Sequence, residues 1–186
     1  MKRLFAAIKV FPENAFLDQL HHLEAQLRHE KIKWVEDHNI HITLKFFGET
    51  EENKIPEINY ILQTVADKTR SFEFSLQKLG IFGSSYNPKV IWAGIHPYND
   101  LVDIMKDVQN GLKSSGFEPD RQNIVPHLTL GRIKYLADKS FFQQTIDEFK
   151  ELNSFPMKIV SFHLYESILK KEGPVYLVLK TFSLQK

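Results

Sequence analysis

Two tetrapeptides carry residue types that do chemistry: His41-Ile42-Thr43-Leu44 and His127-Leu128-Thr129-Leu130. On a β-strand, residues i and i+2 share a face. Each His would therefore project with its Thr, while Ile42, Leu44, Leu128 and Leu130 anchor in a core behind. Random placement of the eight His, seven Thr and twenty Leu of the chain gives about 0.03 such tetrapeptides. A single histidine on a strand reads as a structural hydrogen-bonder. The duplication is the functional signal.

In-line displacement at phosphorus needs a base on one side and an acid on the other. An imidazole serves either role near neutral pH. Two of them can flank one phosphorus, one deprotonating water and the other protonating the departing oxygen. The hydroxyls of Thr43 and Thr129 can donate to the non-bridging oxygens, where negative charge must be held. This arrangement requires no metal and no cofactor. His38 and His41 stand three apart, but no carboxylate lies at a ligand-like spacing, so no metal site is expected.

Neighbouring residues divide between chemistry and structure. Arg132 has the strand parity of Leu128 and Leu130, which points it away from the cleft; a bulge at Gly131 would re-aim it toward a phosphate. A structural salt bridge is the alternative. Phe11, Trp34, Phe47, Tyr165 and Tyr176 are candidates for stacking on an unpaired base. Phe47 shares the parity of His41 and Thr43 and is the first choice. Lys45 shares that parity too, and could add charge beside a phosphate or lie solvated on the surface.

Composition narrows the partners. The 24 Lys+Arg nearly balance 23 Asp+Glu, so any nucleic acid should be short or gripped at one end. With no cysteine, disulfides, thiolate sites and cysteine nucleophiles are excluded. There is no phosphate-cradling Gly-rich loop, which disfavours nucleoside triphosphate hydrolysis and ATP-dependent ligation. The apolar opening stops at Lys9, too short for a signal peptide, and no run reaches membrane-spanning length. The expectation is a cytoplasmic monomer without membrane attachment.

The elements that must position the pair follow from periodicity. Apolar or alternating runs predict strands at Arg3–Phe11, Trp34–Val35, Ile40–Phe47, Ser71–Leu79, Val90–Ile95, Pro126–Arg132, Met157–Leu164 and Val175–Phe182. Helical spacing predicts helices at Asn14–Glu30, Glu51–Lys68, Asn99–Ser114 and Ser140–Lys150. Asn14 is a candidate N-cap. Loops are expected at Gly83–Pro88, Glu118–Asn123 and Lys170–Pro174. Strict βαβ alternation is absent, so the class is α+β with mainly antiparallel sheet. Each half holds one His-x-Thr-Leu strand, which suggests a single domain over residues 1–186, made of two similar lobes around a cleft.

The chain resembles the 2H phosphoesterases, specifically the bacterial RNA 2′,3′-cyclic phosphodiesterase branch once called 2′-5′ RNA ligases. The resemblance rests on both tetrapeptides in context, His41 to Glu49 and Pro126 to Arg132. It extends to Arg3-Leu4-Phe5-Ala6-Ala7-Ile8, Trp34-Val35, Val90-Ile91-Trp92-Ala93-Gly94, and the tail from Leu164-Tyr165-Glu166-Ser167 to Tyr176. It implies a two-lobed α+β fold with flanking helices. It implies hydrolysis of a 2′,3′-cyclic phosphate, carried on RNA 3′ ends or as nucleoside 2′,3′-cyclic phosphates, to a 2′-phosphate. It also assigns His41 as proton donor and His127 as acceptor; the residues alone leave that direction open. Thr43, Thr129, Arg132 and Phe47 are the expected substrate contacts. Two readings stand beside it: a nucleotide-binding module without turnover, and an enzyme acting on 2′-5′-linked or other cyclic-phosphate substrates. Ile42 stands where many relatives have Leu, on the core side, with no expected effect.

Overall fold

A computed structural model describes residues 1–84, 86–117, 124–171 and 173–186. The expected loop at Glu118–Asn123 lies outside the described residues, as do Ser85 and Glu172 within the other two expected loops.

The described strands are β1 (Lys2–Lys9), β2 (Lys31–Trp34), β3 (His41–Thr50), β4 (Phe72–Ser84), β5 (Asn87–His96), β6 (His127–Tyr135), β7 (Met157–Ile159), β8 (Ser161–Leu169) and β9 (Pro174–Ser183). The helices are α1 (Asn14–Gln26), α2 (Ile55–Ala66), α3 (Asn99–Leu112) and α4 (Lys139–Glu148). The strands form two sheets, in the orders β3-β1-β8-β9 and β2-β6-β5-β4-β7, and every pairing between them is antiparallel. The class is α+β. No helix among the described residues is long and apolar enough to cross a membrane.

The two sheets are not the two halves of the chain. β2 leaves the first half to edge the second sheet, and β8 and β9 return from the C-terminal part to complete the first. The expected strand at Met157–Leu164 accordingly divides at Val160. β7 pairs with β4 in one sheet, and β8 pairs with β1 in the other. Val160 is exposed between them, and its carbonyl accepts from the Leu184 amide. A strand that changes sheets must break its ladder somewhere, and an unbroken apolar run gives no sign of where.

Helical periodicity delivers the core. Phe16, Leu20, Leu23 and Leu27 bury one face of α1 and its C-cap; Ile58, Ile61, Leu62 and Val65 do so for α2, and Leu101, Ile104, Met105, Val108 and Leu112 for α3. These side chains join Leu4, Ala6 and Ile8 of β1 and Ile91, Ala93 and Ile95 of β5 in one contiguous cluster. Asn14 is the first helical residue; the N-cap is Glu13, whose side chain makes no capping bond. α4 is capped by side chain, Asp138 Oδ1 accepting from the Phe141 amide at 2.9 Å. β1 is central in its sheet, with apolar side chains on both faces. Phe5 and Ala7 point away from the main core and pack with Tyr165 and Tyr176 in a small second cluster. His41 stands on that cluster.

Candidate active site

The two tetrapeptides open β3 and β6, one in each sheet. Ile42, Leu44, Leu128 and Leu130 are buried, while His41, Thr43, His127 and Thr129 face the other side. Both strands then bulge, β6 beside Gly131 as the sequence allows and β3 where it gives no such sign. In β3, Thr43 pairs with Ala7 and Lys45 with the adjacent Ala6, leaving Leu44 as an extra residue. In β6, Thr129 pairs with Trp92 and Gly131 with the adjacent Ile91, leaving Leu130 extra. A β-bulge inverts the facing of the residues that follow it, up to the next register shift, which in β3 comes at Phe47.

The inversion sorts the remaining candidates. Arg132 turns onto the face of His127 and Thr129, and one pocket of about 450 Å³ is lined by His41, Thr43, Thr129, Arg132, Arg3 and Phe46, among others. Thr129 and Arg132 also line an adjoining pocket of about 430 Å³ that holds His127 and Phe82. The cleft thus passes from one histidine to the other across Thr129 and Arg132.

Phe47 does not join them. Its ring packs against the core, 5.5 Å from that of Phe117 at an interplanar angle of 73°. Lys45 is 4% exposed and lies on the core side. The parity rule placed both in the cleft because it assumed a regular strand; the bulge at Leu44 puts Phe46 there instead. Phe46 is 46% exposed and lies under the Arg3 guanidinium, 4.8 Å from ring centroid to Cζ.

Gly131 makes the second bulge possible. A Cβ there would lie 2.8 Å from the Trp34 ring, so only glycine lets β6 turn against that indole. Trp34 packs against the core with this contact behind it.

The histidines are held alike. His41 Nδ1 donates to the backbone carbonyl of Asn39 at 2.6 Å, and His127 Nδ1 donates to that of Val125 at 2.7 Å. A carbonyl can only accept, so Nδ1 carries the proton of the neutral ring and Nε2 is left as the free base. His41 is wedged between Phe5 (ring centroids 5.2 Å apart) and Tyr176 (5.3 Å, edge to face). His127 meets Phe82 edge to face at 4.7 Å, and Phe82 in turn stacks on Trp92. Phe5 and Phe82 were not among the stacking candidates; nothing in their spacing separates them from other core phenylalanines.

Burial pushes both imidazoles below the usual pKa of 6.5, more than the carbonyl bonds raise them, and the positive charge of Arg132 lowers both further. Lys9, whose Nζ donates to the His38 carbonyl, adds to this at His41. The hydroxyls of Thr43 and Thr129 make no hydrogen bond among the described residues. They are free to donate to an anion between the rings. Beyond His41 lies a third pocket of about 390 Å³, walled by Phe5, Phe11, Tyr165 and Tyr176. Among the described residues no cluster of three or more metal-ligating side chains occurs; His38 is engaged with Glu36 at 3.2 Å.

The comparisons with known proteins agree with one another. A family model described as the 2′-5′ RNA ligase superfamily matches residues 12–170. A Methanocaldococcus jannaschii protein named RNA 2′,3′-cyclic phosphodiesterase is 35% identical over 178 residues, 96% of this chain and 98% of its own length. A Thermotoga maritima protein of the same name is 34% identical over 146 residues, 78% of this chain and 76% of its own. The crystal structure of a Thermus thermophilus protein, TT0787, matches with a TM-score of 0.80 at 25% identity, covering 98% of each chain. E. coli LigT complexed with 3′-AMP matches at 0.76 and 22% identity, covering 100% of this chain and 99% of that one. The last bears on the fold alone.

Proposed function

Because the chain belongs to the 2′-5′ RNA ligase superfamily, we propose that it hydrolyses terminal 2′,3′-cyclic phosphates of RNA to 2′-phosphates, without a metal. One observation carries the mechanism: two imidazoles, each held through Nδ1 so that Nε2 is free, line one cleft floored by two unengaged threonine hydroxyls and an arginine.

His127 Nε2 takes a proton from water as its oxygen bonds to phosphorus. The P–O3′ bond breaks, and His41 Nε2, protonated beforehand, gives its proton to the departing 3′-oxygen. Thr43, Thr129 and Arg132 hold the non-bridging oxygens as charge builds on them. Burial alone would keep His41 neutral; the phosphate anion of the bound substrate favours the protonated form. With the 5′-hydroxyl of a second strand in place of water, the same steps join the two strands through a 2′-5′ bond, so weak ligation is expected as a side activity.

The direction of proton flow has its own support. In-line geometry puts the ribose on the side of the leaving oxygen, and water on the other. The ring-walled pocket adjoins His41 and shares Phe5 and Tyr176 with the phosphate pocket. It offers a nucleoside four aromatic walls, against one at His127. That favours His41 as the donor.

The test is incubation of an oligoribonucleotide ending in a 2′,3′-cyclic phosphate with excess chelator, followed by product mapping. A 2′-phosphate product, lost in His41→Ala and in His127→Ala, is expected. A 3′-phosphate product would reverse the leaving group, and full activity in either variant would sink the mechanism.

A further inference from the structure

Lys33 of β2 is the direct cross-strand partner of Arg132 in β6. Like charges facing each other across an antiparallel ladder, with Cα atoms about 4.5–5.5 Å apart, are destabilising. Lys134, left extra where β6 shifts register against β2, lines the same groove, and all three are exposed. Among the described residues none of the three forms an ion pair or a side-chain hydrogen bond. A chain of net charge +1 has thus gathered uncompensated cations at one place. They line a groove of about 420 Å³ that begins at Arg132 and Tyr176, beside the phosphate pocket. Trp34 lies in its wall, and Pro174 of β9 closes the opposite side. Among the described residues its only carboxylate is Glu36, which is engaged with His38.

We propose that this groove carries the sugar-phosphate backbone of a single RNA strand upstream of the cyclic end, with Lys33 and Lys134 on successive phosphates. The inference rests on the activity proposed above and makes its substrate an oligonucleotide end in preference to a free cyclic nucleotide. The geometry is continuous. Asn39 and Tyr176 line both this groove and the ring-walled pocket beyond His41. The terminal base can enter that pocket while the 5′ side of its ribose points into the groove. A cationic groove with an indole in its wall suits a flexible single strand, which offers both phosphates and unstacked bases. Local concentration of charge also explains how a nearly neutral protein can hold RNA: only the few nucleotides nearest the end need be gripped.

The test uses the whole protein and the double variant Lys33→Gln/Lys134→Gln, whose side chains are exposed. The readouts are kcat/KM on a nucleoside 2′,3′-cyclic phosphate and on a short oligoribonucleotide with the same end, and the affinity of a 2′-phosphorylated oligonucleotide against salt. The expected wild type prefers the oligonucleotide by about tenfold or more, and the double variant loses most of that preference. The slope of log affinity against log salt should shrink by about 1.4, at about 0.7 per phosphate contact on a single strand. An oligonucleotide-to-mononucleotide ratio or a salt slope unchanged in the variant would overturn the groove. A wild type that turns over neither substrate, yet binds the oligonucleotide with a slope the variant reduces, would sink the activity and leave the groove standing.

Discussion

Phe46 and Arg132 hold equivalent places: each stands two residues beyond a bulged leucine, and each is turned by that bulge into the cleft beside its own histidine. The pseudo-symmetry of the site therefore extends past the tetrapeptides, with an aromatic ring on one strand answering a guanidinium on the other.

This makes neighbouring phenylalanines behave differently. Phe46→Ala should raise KM and lower kcat/KM, with the melting temperature nearly unchanged. Phe47→Ala should instead cost about 2 kcal/mol of stability, since its ring is only partly buried. Denaturant unfolding and steady-state kinetics on both variants read this directly; the opposite pattern would mean that β3 runs without its bulge.

The histidines should act as one unit. Replacing either by Ala is expected to lower kcat by about 10²–10⁴-fold. The double replacement should cost little more than the worse single one, because each step needs both partners. A double variant whose loss equals the product of the single losses would mean that the two rings act independently.

The pH profile has a definite sign. In the proposed mechanism one imidazole is neutral and the other protonated, so kcat/KM should peak midway between the two apparent pKa values of the pair. Burial pushes both below 6.5, which places the maximum on the acid side of that value. Arg132 opposes protonation of both rings, so Arg132→Gln should move the maximum to higher pH while reducing its height. A maximum that stays in place would mean that the guanidinium does not act on the imidazoles.

Gly131→Ala should mimic the loss of Arg132. The new methyl would press on the Trp34 ring at 2.8 Å, and relief means moving the indole or undoing the bulge that aims Arg132. A displacement of about 1 Å at a phosphate contact can cost up to about 10²-fold in rate. Kinetics indistinguishable from wild type would show that the bulge does not depend on this glycine.

The local arrangement of the two tetrapeptides was more legible in the sequence than what lies beyond them. His-x-Thr-Leu is a local pattern, and strand parity correctly set the threonines beside their histidines. Helix faces were legible because 3.6-residue spacing needs no knowledge of partners. Parity failed two residues later, at Lys45, because a bulge is a property of two paired strands and leaves no mark on one. For Arg132 the glycine gave a hint that a bulge was available; β3 has no such glycine at Leu44 or Lys45. The exchange of sheets at Val160 was hidden for the same reason, since β7 and β8 differ in what they pair with, not in composition. Lys33 escaped notice because its significance lies in facing Arg132, a long-range relationship.

The placement of β8 has a consequence for synthesis. β1 sits between β3, which follows it closely, and β8, which is made far later. Until residue 161 has been translated, one edge of β1 has no partner, and Phe5 and Ala7 lack Tyr165 above them. The support beneath His41 is therefore assembled only once β8 has been made, long after His41 itself. Such long-range closure also slows folding.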